Sequence, residues 1–429
     1  MKHSGVEWIG EIPDKWNLVR LKDICINKKE VAGEKSSEYE RLALTLNGVI
    51  KRPKDDQEGL QPKEFDTYQI LEENDFVFKM IDLQNISTSR VGLSPYTGLV
   101  SPAYIRFASK KKGQFNEFIH YYLLSLWHNC VYNNIAGDGV RSALNATDMG
   151  NLKCPFPTED QQRKIAGFLS KKTAEIDSLI EIENQQIEKL KEYKQAIITE
   201  IILKGLDKNA PMKDSGVKWI GMVPESYNMM KMGWLANYKK GPFGSSLKIS
   251  MFVPKGPNTY KVYEQKNAIY KDETLGYYYI SKEKFEELSS NEVLPGDIIV
   301  SCAGTIGECF QMPNIMEPGI INQALMRVRL NEDIIPQYYL YLFDAVISKE
   351  SQSSSNGSAM KNIPPFDVLK NIRVFIPSKD NQTKVVNYLD QKCNEIDALI
   401  SIKQKKIDDL DEYKKSLIYE YVTGKKEVC

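Results

Sequence analysis

The chain has 429 residues, 57 Lys plus Arg against 57 Asp plus Glu, and 42% hydrophobic and 10% aromatic residues. This excludes a disordered or collagen-like chain and predicts two or more globular domains. A formal charge of zero gives no electrostatic case for a nucleic-acid partner, because proteins that neutralise many phosphates usually carry surplus Lys and Arg. Apolar runs stop short of the roughly 20 residues needed to cross a bilayer. The opening Met1-Lys2-His3-Ser4-Gly5 lacks the apolar core of a secretory signal, so the expected location is the cytoplasm, with no membrane partner. Cys25, Cys130, Cys154, Cys302, Cys309, Cys393 and Cys429 form no C-x-x-C pair, which predicts reduced thiols and neither a disulfide framework nor a zinc site.

In chain order the first feature is Ser4-Gly5-Val6-Glu7-Trp8-Ile9-Gly10 with Pro13, which returns as Ser215-Gly216-Val217-Lys218-Trp219-Ile220-Gly221 with Pro224. Residues 17 to 156 follow as a module of short β-like runs, such as Asp75 to Met80, and one aromatic-rich helix around Phe115 to Leu124. From Pro157 a helix is predicted, with Ile165, Leu169, Ile176, Leu179, Ile187, Leu190, Ile197 and Ile201 at spacings of mostly three and four. Thr158 offers an N-cap oxygen and Gly205 a stop. The polar linker Lys208-Asn209-Ala210-Pro211-Met212 leads to the repeated opening and a second module, residues 228 to 376, with an aromatic helix from Pro336 to Phe343. A second helix starts at Pro377, carries Val385, Leu389, Ile396, Leu399, Ile407, Leu410 and Leu417, and stops at Gly424. Aligned without a gap, about 19 of about 44 positions of the two helices are identical.

The expected fold class is therefore α+β: two similar mixed α/β domains joined by an antiparallel pair of long helices, a coiled coil within an internal pseudo-twofold repeat. Its predicted boundaries are 1–156, 157–206, 207–376 and 377–424. The seam is expected at Ile176, Leu179, Ile187 and Leu190 against Ile396, Leu399, Ile407 and Leu410. Two other partners would also cover the stripe: each helix's own module, or a second copy of the chain. The modules are only faintly alike, at Asn74-Asp75-Phe76-Val77-Phe78 against Gly296-Asp297-Ile298-Ile299-Val300 and at Ala103 to Arg106 against Ala324 to Arg327. Two alike scaffolds with two diverged modules present two different recognition surfaces.

Polar loops with Gly, Ser, Asn and basic residues are the candidate contact surfaces, since they offer hydroxyl, amide and cationic groups to phosphates and base edges. Module one supplies Lys79, Ser89, Arg90 and Arg141; module two supplies Lys240, Ser245, Ser246, Lys248, Thr305, Asn322, Gln323 and Lys361. Each loop taken singly is equally an ordinary surface turn, and the aromatic helices read as core. No G-x-x-x-x-G-K-[ST] occurs, so no phosphate cradle for ATP is predicted. Asn362-Ile363-Pro364-Pro365-Phe366 resembles the Asn-Pro-Pro-Phe of adenine methyltransferases, but Ile363 interrupts it and it reads as a turn. His3, His120 and His128 lack metal-pair spacing. The chain reads as non-catalytic, with no metal and no cofactor of its own.

Trp-Ile-Gly-x-x-Pro at Trp8 and Trp219, Gly241-Pro242-Phe243-Gly244-Ser245-Ser246-Leu247, Gly296 to Ser301 followed by Gly304-Thr305-Ile306-Gly307, Gly319 to Leu325, Val100 to Tyr104, and the Gln162/Lys164 and Glu175-Ile176-Asp177 blocks run the length of the chain. In this order, twice over, the pattern resembles the specificity subunit of type I restriction-modification systems. The resemblance implies two target-recognition domains, each reading half of a split double-stranded DNA sequence, and a helical spacer that sets the unread gap. It also implies two methyltransferase subunits that bind S-adenosylmethionine, and restriction subunits that use ATP and Mg, a set of partners for phage defence by DNA methylation and cleavage. Module one departs from the pattern in lacking the Gly-Pro-Phe-Gly loop and in having Asn74 where module two has Gly296. The rival reading is a coiled-coil scaffold that docks other proteins and no DNA.

Overall fold

The computed structural model describes residues 1–56, 64–81, 83, 89–111, 114–136, 143–303, 305–354 and 365–428. The chain divides into two compact units, Met1–Gln185 with Lys403–Cys429, and Gln186–Ile402. Each unit therefore combines one module with a stretch of both long helices. Four helices exceed two turns among the described residues: α1 (Glu117–His128), α2 (Glu159–Lys204), α3 (Pro336–Ser354) and α4 (Lys379–Val422).

The first unit holds β1 (Cys25–Asn27), β2 (Arg41–Thr45), β3 (Gly48–Arg52), β4 (Gln69–Leu71), β5 (Phe76–Phe78), β6 (Val91–Leu93), β7 (Gly98–Val100) and β8 (Ile105–Ser109). They form two four-stranded sheets, β1-β8-β5-β6 and β3-β2-β7-β4. The second unit repeats this with β9 (Ala236–Lys240), β10 (Thr259–Tyr263), β11 (Tyr279–Ser281), β12 (Glu292–Val293), β13 (Ile298–Ser301), β14 (Cys309–Gln311), β15 (Gly319–Ile321) and β16 (Leu325–Leu330). Its sheets are β9-β16-β13-β14 and β11-β10-β15-β12, the same order in every place. Even the parallel pair recurs, β2 with β7 and β10 with β15.

Strand alternation builds the cores. In β5, Phe76 and Phe78 face Phe118 and Tyr122 of α1, while Val77 turns to Leu42, Val49 and Val100 of the other sheet. In β13, Ile298 and Val300 face Tyr338 and Phe343 of α3, while Ile299 joins Tyr263 and Ile321. The aromatic helices are thus core elements, as their composition implied. The faint sequence likeness before β5 and β13 has a backbone cause: Asn74 and Gly296 both take left-handed conformations, at φ 66° and 84°, and Asn is among the few side chains that tolerate it.

Side chains behind these turns also match. Arg106 Nη1 donates to Ile70 O at 2.5 Å, and at the corresponding position Arg327 Nη1 donates to Glu292 O at 2.7 Å. Asp75 pairs with Arg106, Nε to Oδ2 2.5 Å, whereas Asp297 takes its cation from Arg329, two residues further along the same strand, with both contacts at 2.8 Å. Burial pushes the Asp75 carboxyl upward and the Arg106 guanidinium beside it opposes that shift.

The long helices pair in each unit. In the first, Ile176, Ile180 and Glu183 of α2 and Lys403, Ile407 and Leu410 of α4 are buried or half-buried, at alternating spacings of four and three. In the second, Ile187 and Leu190 of α2 and Ile396 and Ile400 of α4 follow the same rule. This is the heptad pattern of a coiled-coil seam. Ion pairs set the direction: Asp177–Lys414 at 2.5 Å and Glu183 to Lys403 and Lys406 at 3.0 and 2.6 Å in the first unit run antiparallel. Lys194–Asp397 at 2.6 Å is the second unit's counterpart of Asp177–Lys414, because residues 220 apart correspond in the repeat. Gly205 and Gly424 end the helices at φ 71° and 72°, as the sequence predicts for left-handed caps.

Two expected seam residues are corrected. Leu179 and Leu399 are 45% and 49% exposed, because three residues after Ile176 and Ile396 is about −60° around the helix, and the seam instead advances by four to Ile180 and Ile400.

Glu183 corresponds to Lys403 in the repeat, so their contact is a pair of unlike charges at equivalent positions. Glu183→Lys would gather three lysines there and should lower the thermal midpoint, as should Lys403→Glu. The double exchange should recover most of the loss in a thermal-unfolding cycle; simple additivity would show that the pair contributes nothing to helix association.

Candidate nucleic-acid interface

In the second unit, the C-terminal ends of β9, β10, β13 and β15 and the start of β16 meet at one edge. The loop after β9 is held at both ends. Gly241 N donates to Leu325 O at 2.9 Å, and a Cβ on Gly241 would lie 1.8 Å from Asn322 O, so only glycine fits. Six residues on, Leu247 is buried with Val262, Ile280 and Ile320. Ser246 N donates to Phe243 O at 2.8 Å, closing the turn between the anchors.

The other loops tie into the same point. Cys302 N donates to Ala324 O at 2.8 Å and Asn322 N to Tyr263 O at 3.0 Å. Asn322 Nδ2 donates to Gln265 Oε1 at 3.2 Å, and Asn291 Nδ2 to Lys240 O at 3.0 Å. Lys240, Ser245, Ser246, Lys248, Thr305, Asn322 and Gln323 thus come from loops joined by shared backbone bonds. Lys240, Ser245, Lys248, Thr305 and Gln323 are exposed; Ser246 and Asn322 are half-buried. The cluster offers ammonium, hydroxyl and amide groups together, the set that contacts phosphates and base edges.

Sequence reasoning missed part of this edge. Gln265 and Lys266 open a short helix, Gln265–Tyr270. Lys266 Nζ lies 2.9 Å from the Glu264 carboxylate and 5.3 Å from the ring centroid of Tyr277. No Gly/Ser-rich signal marks these residues; only the sheet topology brings them to Asn322. Burial lowers the Lys261 ammonium from its ordinary range, and Glu317 opposes the shift. Its Nζ donates to the carbonyls of Glu273 at 2.6 Å and Thr274 at 3.0 Å, so this lysine braces the segment that leads to Tyr277.

The first unit corrects two expectations. Ser89 and Arg90 are 2% and 1% exposed. Ser89 Oγ donates to Val91 O at 2.7 Å and Arg90 Nη1 to Ile81 O at 3.2 Å. Both side chains stabilise the connection between β5 and β6 from inside, where a charged or hydroxyl group persists only when hydrogen-bonded. Lys79, directly after β5, is half-buried at the edge equivalent to Ser301 and Cys302. Arg141 and Lys361 lie outside the described residues, as do Asn362, Ile363 and Pro364.

Among the described residues no group of three or more His, Cys, Asp or Glu could hold a metal ion. His120 and His128 are pushed down to about 4 by burial, so their imidazoles are neutral at pH 7. No helix among these residues is long and apolar enough to cross a membrane.

Two copies of one framework, each with its own loops, make the chain an internal repeat of two domains. Residues 13–192 and 224–414 each match the type I restriction modification DNA specificity domain. Over 423 aligned residues the chain is 25% identical to the type I restriction enzyme MjaVIII specificity subunit of Methanocaldococcus jannaschii, covering 96% of this chain and 93% of that protein. A solved structure on complex assembly and conformational transition of the type I R-M system contains a chain of the same fold, with TM-score 0.67, 14% identity, and 96% and 98% of the two chains covered. The chain therefore belongs to the family of type I restriction-modification DNA specificity subunits, and its function is recognition of a DNA target.

The close approach at Gly241 gives a direct test of how the edge is held. Gly241→Ala must displace either the loop or Asn322, and should lower stability by roughly 1–3 kcal/mol, measured by denaturant unfolding. An unaffected midpoint would mean that the loop is not fixed at this contact.

Proposed function

We propose that each domain reads one half of a split double-stranded DNA sequence, and that the chain directs methyltransferase and restriction subunits to that target without catalysing a reaction itself. The observation that carries this reading is the pairing of one sheet order, repeated strand for strand, with unlike loops at corresponding strand ends. A framework kept constant while its edge groups change is suited to reading two different half-sites. The unread gap between half-sites is assigned to the long helices, since each contributes to both units. S-adenosylmethionine, ATP and Mg are assigned to the partner subunits, and the complex to the cytoplasm.

The decisive experiment is exchange of residues 228–376 for the module of another family member, with the methylated sequence of the cells read before and after. One half of the target should change and the other persist; change in both halves would refute independent reading. Lys240→Ala, Ser246→Ala and Lys248→Ala should each weaken target binding about tenfold at an unchanged melting temperature.

The methyltransferase part of the reading is supported by exposed apolar residues on the helices. In the first unit Leu179, Ile182 and Tyr413 are 45%, 45% and 54% exposed; in the second Leu399, Ile402 and Tyr193 are 49%, 65% and 59% exposed. These are the same residue types at corresponding positions of the repeat. Exposed apolar groups kept alike in both copies fit two copies of one partner. Leu179→Asp with Ile182→Asp should remove one methyltransferase subunit, and the same changes at Leu399 and Ile402 the other, as counted by native mass spectrometry.

A further inference from the structure

We infer that Lys29 and Lys240 contact the phosphate backbone of the two half-sites, one lysine in each domain, and take no part in reading the sequence. The inference rests on the proposed reading of one half-site by each domain. It deepens that reading by adding Lys29 of the first domain and by naming the chemical group that both lysines meet.

Strand register fixes the equivalence of the two lysines. Directly after β1, Lys28 N donates to Arg106 O at 3.2 Å; in β9, Lys239 stands opposite Arg327. Arg106 and Arg327 occupy the same place in the framework, so Lys28 matches Lys239 and Lys29 matches Lys240. The adjoining turns repeat as well. Between β7 and β8, Ala103 N donates to Ser101 Oγ at 3.3 Å; between β15 and β16, Ala324 N donates to Asn322 Oδ1 at 3.0 Å. The residues that flank the lysines have diverged: Cys25-Ile26-Asn27 precedes them in one domain and Ala236-Asn237-Tyr238 in the other, and the next residue is Glu30 in one and Gly241 in the other.

Lys28 is half-buried and its Nζ lies 3.1 and 3.3 Å from the carboxylates of Glu30 and Glu72, so its charge is already met within the domain. Lys29 and Lys240 are exposed, and among the described residues neither has an ion-pair partner. One exposed lysine on a surface is ordinary. Its recurrence at the same strand end, between residues that have changed, calls for a cause acting on both domains. Groups that read bases must differ between domains that read different half-sites, whereas the sugar-phosphate backbone is common to any two half-sites. A lysine ammonium suits that common element, because it meets phosphate as a point charge and needs no particular base beside it.

The test uses the chain in complex with its methyltransferase subunits, a duplex carrying the target identified from the methylome, and a duplex of unrelated sequence, with binding measured over a series of salt concentrations. Lys29→Ala should weaken binding about tenfold, by the same factor on both duplexes, and should make the dependence of log K on log salt shallower by about 0.9. Lys240→Ala should do the same, Lys29→Arg should keep most of the affinity, and the melting temperature should hold in all three. A methylphosphonate at one phosphate of the first half-site, which removes its charge, should weaken the wild-type complex and leave the Lys29→Ala complex unaffected.

Unchanged affinity and slope for Lys29→Ala would overturn the inference. So would a loss confined to the target duplex at an unchanged slope, which would mark a base contact, or a loss with a lower melting temperature at an unchanged slope, which would mark a role in folding. Exchange of residues 228–376 separates the two levels. If it changes one half of the target while Lys29→Ala binds as wild type, only the phosphate contact fails; if it changes both halves, the reading on which the inference rests fails, whatever the lysines do.

Discussion

The heptad seam between α2 and α4 is the constraint on which the rest of the structure depends. Isoleucines and leucines occupy most of its positions, but Lys194 and Lys414 fall at seam spacing, and Glu183 and Lys403 take another equivalent pair. Partly exposed ion pairs add little stability on their own. Their effect lies in register, because a polar residue at a seam position is tolerated only where its partner is correctly placed. Asp177 meets Lys414 and Asp397 meets Lys194, so the same match is made in each unit. A slip of either helix by one heptad would separate both pairs and bring Glu183 away from two lysines.

A fixed scaffold lets the modules diverge. The sheet order, the left-handed turn before β5 and β13, and the Arg106 and Arg327 bonds to equivalent carbonyls are the same in both units. The cation for Asp75 and Asp297 comes from different positions of the strand, Arg106 in one and Arg329 in the other. The framework thus requires a cation beside this carboxylate and permits either of two places for it. Loops beyond the strand ends carry no such requirement, which is why their sequences share so little.

The helices were legible because an apolar stripe over more than ten turns is a strong periodic signal, and their glycine stops have a backbone cause. Leu179 and Leu399 show the limit: a stripe of mixed three- and four-residue steps leaves the phase ambiguous, and only packing decides which leucine enters the seam. The shared module fold was visible through Asn74-Asp75 and Gly296-Asp297, where turn geometry restricts the residue type. Ser89 and Arg90 misled because polarity gives no direction; their side chains point inward to loop carbonyls. Gln265 was invisible because its place at the edge depends on a contact with Asn322, 57 residues away in sequence.

Zero net charge bears on how such a subunit divides its work. Affinity from counterion release scales with the number of phosphates neutralised, and a chain with balanced charges gains little from it. Hydrogen bonds to base edges discriminate without adding much general attraction to DNA. Such a division puts discrimination ahead of general affinity in the chain itself. The anchoring of the Gly241–Leu247 turn at both ends suits a recognition domain, because a loop already ordered before contact has less conformational entropy to lose on binding.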